Sequence, residues 1–305
     1  MKTALDKFTD HLQYERMYSP KTIVAYEKDI SDFLNLGIRV YGGNDFLPQV
    51  DRKFFRRWLS VLNQQKLAKS SIQRKISAVK SFYRFLNEEG IVENRIYDLI
   101  AAPKKEKKLP LHLNKAQVLE ILESVDDGTF SGSRDRAILE LLYSTGVRLN
   151  ELLSITIGDI NFQRKTVRIR GKGSKDRIVP VGSTALDTIT AYMKVRKKRL
   201  QILNVAEEPL AIFITAKGRA LYAMAVQRMV RKQLSEYAGI YKLNPHIFRH
   251  TFATHMLDNG ADIRAVKDLL GHESLATTQH YTHVSITKLK KAYDFAHPRS
   301  EEEGI

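Results

Sequence analysis

The sequence predicts a mainly helical protein of two domains, the second of which contains a small β-hairpin. The 305 residues correspond to about two domains at ~150 residues each, and 43% hydrophobic residues are enough for buried cores. Apolar residues recur at helical spacing along most of the chain, and one glycine-rich segment alternates like a hairpin. The absence of cysteine excludes a disulfide scaffold and a thiolate zinc site. With no apolar run near ~18 residues, we expect a cytoplasmic protein without a membrane span.

The first hundred residues predict a small helical bundle. Thr22 to Leu34 forms one helix, because Ile23, Tyr26, Ile30 and Phe33 fall on one side of it. A later helix begins with Ser70 or Ser71 as its cap and shows the same periodicity. Its apolar face consists of Ile72, Ile76, Val79, Tyr83 and Leu86.

A basic linker follows this bundle. Pro103 and Pro110 enclose four lysines and one glutamate, a composition that disfavours regular structure. We therefore predict a helical domain at 1–102, a linker at 103–112 and a second domain at 113–305.

The second domain predicts helices on either side of a hairpin. Helical patterns cover Lys115 to Leu122 and Ser133 to Tyr143, the latter stopped by Gly146, and another helix begins near Arg148. Alternating residues on both sides of Gly171-Lys172-Gly173-Ser174-Lys175-Asp176 predict a β-hairpin. Helices continue to the C-terminus, interrupted by one strand candidate at Leu210 to Ile214.

The net charge predicts an anionic partner. The formal charge is +16, and residues 52–87 contain ten Lys or Arg and no carboxylate. Lysines on a solvated helix are normally accompanied by glutamates four residues away, so their absence favours phosphate contact over a merely solvated surface. The predicted DNA-binding residues are Arg74, Lys75, Lys80 and Arg84.

A second anion site is predicted in the C-terminal part, where seven of the nine histidines follow residue 245. Asn244-Pro245 predicts a helix start, which places His246 and Arg249 on one face of the first turn. A zinc site is disfavoured because Arg249 lies among the histidines and no carboxylate occurs from 245 to 257. Backbone N–H groups, the helix dipole and these side chains together favour a phosphate.

Further on, a helix from Asp262 to Leu270 ends at Gly271 in the left-handed conformation.

Five motifs in order resemble the tyrosine recombinase (phage integrase) family, and most closely its Xer branch. They are Thr145-Gly146-Val147-Arg148-Leu149-Asn150-Glu151-Leu152, Gly171 to Lys175, His246 to His255, Leu269-Leu270-Gly271-His272 and Tyr281-Thr282-His283. The resemblance implies a SAM-like helical core-binding domain and an α+β catalytic domain that together form a C-shaped DNA clamp. Asn94-Arg95 departs from the Asn-Pro common in relatives, in a loop away from the chemistry.

The resemblance also implies the roles of the site residues. Tyr281 is the nucleophile that attacks a DNA phosphodiester and forms a 3′-phosphotyrosyl bond. Arg148 and Arg249 bind the non-bridging oxygens, and Glu151 orients Arg148. Lys172 is the general acid for the 5′-oxygen, with Lys175 as the alternative. His246 and His272 accept the tyrosine proton and bind the phosphate, in a division that stays open.

The partners follow from the same resemblance. We expect a duplex recombination site, a homo- or heterotetramer on DNA that passes through a Holliday junction, possible joint action with a second recombinase, and no metal or other cofactor. A C-terminal segment at about 286–305 is expected to exchange between protomers. The predicted role is resolution of chromosome or plasmid dimers. The alternatives are a mobile-element integrase, a type IB topoisomerase and a catalytically silent DNA-binding protein.

Overall fold

The fold was analysed in a computed structural model of the chain. The structure describes residues 3–43, 45–65, 67–99, 112–171, 176–237, 243–271 and 283–300. The chain divides into two compact units, Met1–Lys107 and Lys108–Ile305, each with its own hydrophobic core. Except for its last residue, the predicted linker lies beyond the described parts of the chain. Within those parts, none of the helices has the length and apolar character needed to cross a bilayer.

The first unit is entirely helical in the residues described. Its helices are α1 (Ala4–Asp10), α2 (Pro20–Tyr41), α3 (Arg52–Gln64), α4 (Lys69–Glu88) and α5 (Ile96–Leu99), with a π-helical turn at His11–Glu15 and a 3-10 turn at Leu47–Gln49.

Aromatic side chains fill the centre of this bundle. Phe33 of α2 packs edge-to-face against Trp58 of α3, with ring centroids 5.0 Å apart, and against Tyr83 of α4 at 6.1 Å. The five residues predicted to form the apolar face of α4 are all buried, so that prediction is confirmed. The predicted cap is wrong, because α4 begins at Lys69 and both Ser70 and Ser71 lie inside its first turn.

The second unit surrounds a small antiparallel sheet with helices. The strands are β1 (Ile160–Asn161), β2 (Thr166–Arg170) and β3 (Asp176–Pro180), in the order β1-β2-β3. The register pairs Arg170 with Asp176, so β2 and β3 form the predicted hairpin. The helices are α6 (Lys115–Glu123), α7 (Phe130–Thr145), α8 (Leu149–Ser154), α9 (Ser183–Ile202), α10 (Ala223–Ser235), α11 (His246–Asp258), α12 (Ile263–Leu270) and α13 (His283–Ala296).

Helix α7 forms the centre of the second core. Its last nine residues, 137–145, are all buried, and α9 and α11 pack against it. The strand candidate at Leu210 to Ile214 forms only isolated bridges, Thr156 to Ala211 and Ile214 to Ala220, and is no part of the sheet. The predicted mainly helical fold with a small sheet is otherwise confirmed.

The C-terminal segment packs against its own unit up to Ser300. The Tyr293 hydroxyl bonds to Ser144 Oγ at 2.7 Å, and His297 Nε2 lies 3.2 Å from the carbonyl of Tyr143. Arg299 donates to Glu140, a fully buried carboxylate of α7, at 2.9 Å. Exchange of the segment with a neighbouring protomer stays a prediction, and it would first have to break these contacts.

Candidate functional site

The site is built at the junction between α7 and α8. Helix α7 ends at Gly146, which adopts the left-handed conformation with φ 60°. A Cβ atom at this position would lie 2.7 Å from Cδ1 of Phe252 and 2.8 Å from Cδ2 of Leu270. Both the backbone angle and the close packing therefore require glycine. Two residues later, Arg148 is the N-cap of α8.

Glu151 holds Arg148 at two points. Its carboxylate accepts the backbone N–H of Arg148 at 2.8 Å and the Nη1 of the same residue at 2.9 Å. The carboxylate is largely buried, whereas 43% of the Arg148 side chain stays exposed. The predicted contact between these residues is therefore present, and it leaves part of the guanidinium open to solvent.

Arg249 lies on the first turn of α11, and its guanidinium reaches the same end of α12 as that of Arg148. Its Nη1 donates to the carbonyl of Gly146 at 2.8 Å and its Nη2 to that of Leu270 at 2.7 Å. Arg148 Nη2 donates to the next carbonyl, that of Gly271, at 3.2 Å. The two arginines therefore bind neighbouring peptide groups at the end of α12. Burial, together with the positive charge of Arg148, lowers the pKa of Arg249 to about 10, so it stays protonated at neutral pH.

A third arginine, Arg177 of β3, completes the cluster, and the sequence analysis did not identify it. It is 5% exposed and forms two parallel hydrogen bonds to Glu151, at 2.9 and 2.8 Å. The sequence carries a signal for it, because strand residues two apart share a face. Arg177 lies two residues before the apolar Val179 and shares its buried face.

The electrostatics of the cluster follow from these contacts. Burial alone would raise the pKa of Glu151, but hydrogen bonds from Arg177 and from the backbone N–H of Arg148 outweigh it and lower the pKa to about 2. Glu151 is therefore ionised at neutral pH. Arg148 and Arg177 bond to this one carboxylate and Arg249 interacts with it electrostatically, so positive charge exceeds negative charge among the four side chains.

The remaining predicted site residues divide into two groups. His246 is exposed at the start of α11, where its backbone N–H bonds to Oδ1 of Asn244 at 3.0 Å. The helix starts one residue later than predicted, with Pro245 as its N-cap. Lys172, Lys175, His272 and Tyr281 lie outside the described residues. Gly271, which precedes His272, has the predicted left-handed conformation, with φ 63°.

The predicted DNA-binding residues of α4 differ in their surroundings. Lys75 is buried and its Nζ pairs with Asp32 at 2.7 Å and Asp29 at 3.1 Å, while Arg74 also pairs with Asp29. The absence of carboxylates from residues 52–87 does not leave these two residues without acidic partners, because the partners come from α2. Lys80 is half-buried and Arg84 is exposed, with its guanidinium 5.8 Å from the ring centre of Tyr97.

Comparison with known proteins identifies the family. Residues 112–288 match the phage integrase family, and residues 5–90 match its N-terminal SAM-like domain. The chain belongs to the phage integrase family. Tyrosine recombinase XerC of Pelobacter propionicus is 43% identical to this recombinase over 293 residues, which cover 96% of this chain and 94% of the relative.

A second relative and a solved structure agree with this assignment. Tyrosine recombinase XerC of Bacillus subtilis is 38% identical, with 98% of both chains covered. The post-cleavage complex of the XerH site-specific recombinase with a palindromic difH substrate has the same fold, with a TM-score of 0.69. It is 24% identical, with 95% of this chain and 84% of that chain covered. The protein is a site-specific tyrosine recombinase of the Xer type.

Proposed function

We propose that this recombinase cleaves and rejoins duplex DNA by transient attachment of Tyr281 to a 3′-phosphate, and that it resolves chromosome or plasmid dimers. The phenol hydroxyl attacks the phosphodiester, a phosphotyrosyl bond forms, and the 5′-oxygen leaves with a proton. The reverse attack by another strand's 5′-hydroxyl restores the tyrosine. Two such exchanges, through a Holliday junction, recombine two duplexes.

The observation that carries this proposal is the convergence of Arg148 and Arg249. Their guanidinium groups bind neighbouring carbonyls, those of Gly271 and Leu270, although like charges repel at such a separation. A phosphate between them would offset that repulsion and accept hydrogen bonds from both. The excess charge would also stabilise the additional negative charge of the pentavalent transition state.

The other roles combine the family resemblance with the surroundings of the described residues. His246 shares the first turn of α11 with Arg249 and is exposed, as a proton acceptor for Tyr281 requires. We assign the 5′-oxygen proton to Lys172, with Lys175 as the alternative, and a phosphate hydrogen bond to His272, which follows the carbonyl that binds Arg148. Arg84 and Lys80 of α4 contact the DNA backbone, whereas Arg74 and Lys75 serve the fold of the first unit.

The partner and cellular role are inferred from the relatives. Proteins 36–43% identical over nearly the full length are named tyrosine recombinase XerC, which supports the Xer-type role. We infer a tetramer on DNA, formed by this chain alone or with a second recombinase, acting in the cytoplasm. Conversion of a plasmid dimer with two directly repeated sites into monomers would test this role against integration of a mobile element.

The test of the chemistry uses a nicked duplex. The protein first selects its binding site from a pool of random duplexes, and the selected duplex is then nicked beside the cleavage position so that the cleaved strand diffuses away. In EDTA, the native chain should give a covalent protein–DNA band. The Tyr281→Phe variant should bind with unchanged affinity and give none, because it lacks only the attacking oxygen.

The matched control is Tyr222→Phe, which also removes one hydroxyl. The Tyr222 hydroxyl accepts a hydrogen bond from Arg228 at 3.0 Å, and neither residue belongs to the arginine cluster. This variant should form the covalent band at the native rate. A band of native strength from Tyr281→Phe would overturn the assignment of the nucleophile.

A further inference from the structure

Arg177 connects three elements of the site without facing solvent. It lies on β3, two residues after Lys175 in the sequence, and only 5% of it is exposed. Its Nη1 and Nη2 grip the carboxylate of Glu151 on α8, and its Nε donates to the carbonyl of Leu269 on α12 at 3.1 Å. The planar guanidinium suits this arrangement because its N–H groups diverge at fixed angles.

Both partners of Arg177, Glu151 and Leu269, lie beside the contacts of the other two arginines. Glu151 also binds the backbone and the side chain of Arg148. Leu269 precedes the two carbonyls of α12 that receive Arg249 and Arg148. Gly271 favours this close approach, because its φ is 63° and a Cβ atom there would make a tight contact of 3.1 Å with Nη1 of Arg177.

The contacts also divide the negative charge of Glu151 between two cations. If Arg177 were absent, the carboxylate of Glu151 would lose two hydrogen bonds and keep those from Arg148. A largely buried carboxylate attracts a cation strongly, so Arg148 would turn toward Glu151. A phosphate would then compete with Glu151 for the same guanidinium.

We propose that Arg177 is a positioning residue of the cleavage reaction. By sharing the charge of Glu151 and fixing the end of α12, it keeps the guanidinium groups of Arg148 and Arg249 directed at one phosphate. It acts through these residues and does not touch the DNA itself. The inference rests on the proposed function, since it assigns Arg177 to the site at which Tyr281 attacks.

If Arg177 had a purely structural role, its replacement would lower stability without slowing cleavage. Arg196 provides the matched control. Arg196 of α9 is 1% exposed, pairs with Glu208 and donates to the carbonyls of Pro209 and Ala211. Replacement of either buried arginine by methionine should lower stability, because a buried carboxylate or carbonyl group loses its partner. Only the replacement of Arg177 should change the chemistry.

The experiment measures single-turnover cleavage of the nicked duplex by full-length native protein, Arg177→Met, Arg177→Lys and Arg196→Met, below the melting temperature of each. Arg177→Met should cleave about 10- to 100-fold more slowly at saturating DNA, since small displacements of groups that bind the transition state cost this much. Arg196→Met should cleave at the native rate. Arg177→Lys should be intermediate, because an ammonium keeps the charge but not the two parallel hydrogen bonds.

A second substrate separates positioning from general damage to the fold. In a methylphosphonate duplex, a methyl group replaces one non-bridging oxygen at the scissile position and removes its negative charge. The reaction then depends less on the two arginines, so the deficit of Arg177→Met relative to native protein should shrink severalfold. A loosened fold would lower both rates by the same factor.

The outcomes are distinct. Equal rates for Arg177→Met and Arg196→Met, or an equal deficit on both substrates, would overturn the inference. If Arg177→Met does not fold, Arg177→Lys carries the same comparison. Absence of a covalent product from the native chain would instead refute the proposed function, and that result needs no variant.

Discussion

Removal of the positive charge of Arg299 should destabilise the second unit in a strongly pH-dependent way. Glu140 lies in the middle of α7 and is fully buried, and its Oε1 accepts from Arg299 Nη2 at 2.9 Å. Burial raises the pKa of Glu140, and the positive charges of Arg299 and Arg136 oppose that rise. In Arg299→Met the opposition weakens, so the pKa of Glu140 rises further.

The size of the effect follows from the cost of a buried charge. Breaking a buried ion pair on one side typically costs about 3–5 kcal/mol. Glu140 can limit that cost by taking up a proton, at ~1.4 kcal/mol for each pH unit above its ordinary pKa of ~4.3. Protonation therefore limits the loss of folding free energy to about 4 kcal/mol at pH 7 and to about 1 kcal/mol at pH 5. We therefore expect Arg299→Met to lower the free energy of unfolding by about 2–4 kcal/mol at pH 7 and about 1 kcal/mol at pH 5.

The sign agrees with proton linkage. A carboxyl whose pKa is raised in the folded state binds protons more readily when folded than when unfolded. Its contribution to stability is thus complete below the unfolded pKa and is lost as the pH rises toward the folded pKa. The variant raises the folded pKa, so its deficit must grow from pH 5 to pH 7.

Urea unfolding of the full chain at pH 5 and pH 7 measures this loss of free energy of unfolding. Far-UV circular dichroism follows both units, and the fluorescence of the single tryptophan, Trp58, follows the first. Lys291→Met is the matched control, because it removes one positive charge from an exposed position on α13 and should change stability by less than about 0.5 kcal/mol. Glu140→Gln combined with Arg299→Met should lose the pH dependence. A deficit of the same size at both pH values would refute the reasoning.

Two further predictions concern a glycine and the basic helix. Gly146→Ala should lower the free energy of unfolding by about 2–5 kcal/mol, since it adds a close contact to the backbone strain. Gly42→Ala, with φ 79° but open space around its Cβ, should cost only about 1–2 kcal/mol; equal costs would contradict the packing argument. Joint replacement of Lys80 and Arg84 by alanine should reduce the slope of log affinity for DNA against log salt by about 2. Lys75→Met should instead lower stability and leave that slope unchanged, and an unchanged slope in the double variant would exclude α4 from the interface.

The local sequence was sufficient for most of the elements. Helical periodicity identified the apolar face of α4, and glycine after an apolar run marked the ends of α7 and α12 at Gly146 and Gly271. Alternation identified the β2–β3 hairpin. These features depend on spacing within one element, and spacing is read directly from the chain. The strand candidate at Leu210 to Ile214 failed because, in the described part of the chain, it forms only isolated bridges and joins no strand of the sheet.

What the sequence by itself determined was the set of residue types and motifs, including Arg148, Glu151 and Arg249, and hence the family. Only the tertiary structure decided which charges meet. It paired Lys75 with aspartates about 43 residues away, bound Arg299 to Glu140, and placed Arg177 on Glu151. Ion pairs between distant segments depend on how helices and strands pack in space. That packing minimises buried, uncompensated charge over the whole unit, which no local pattern expresses.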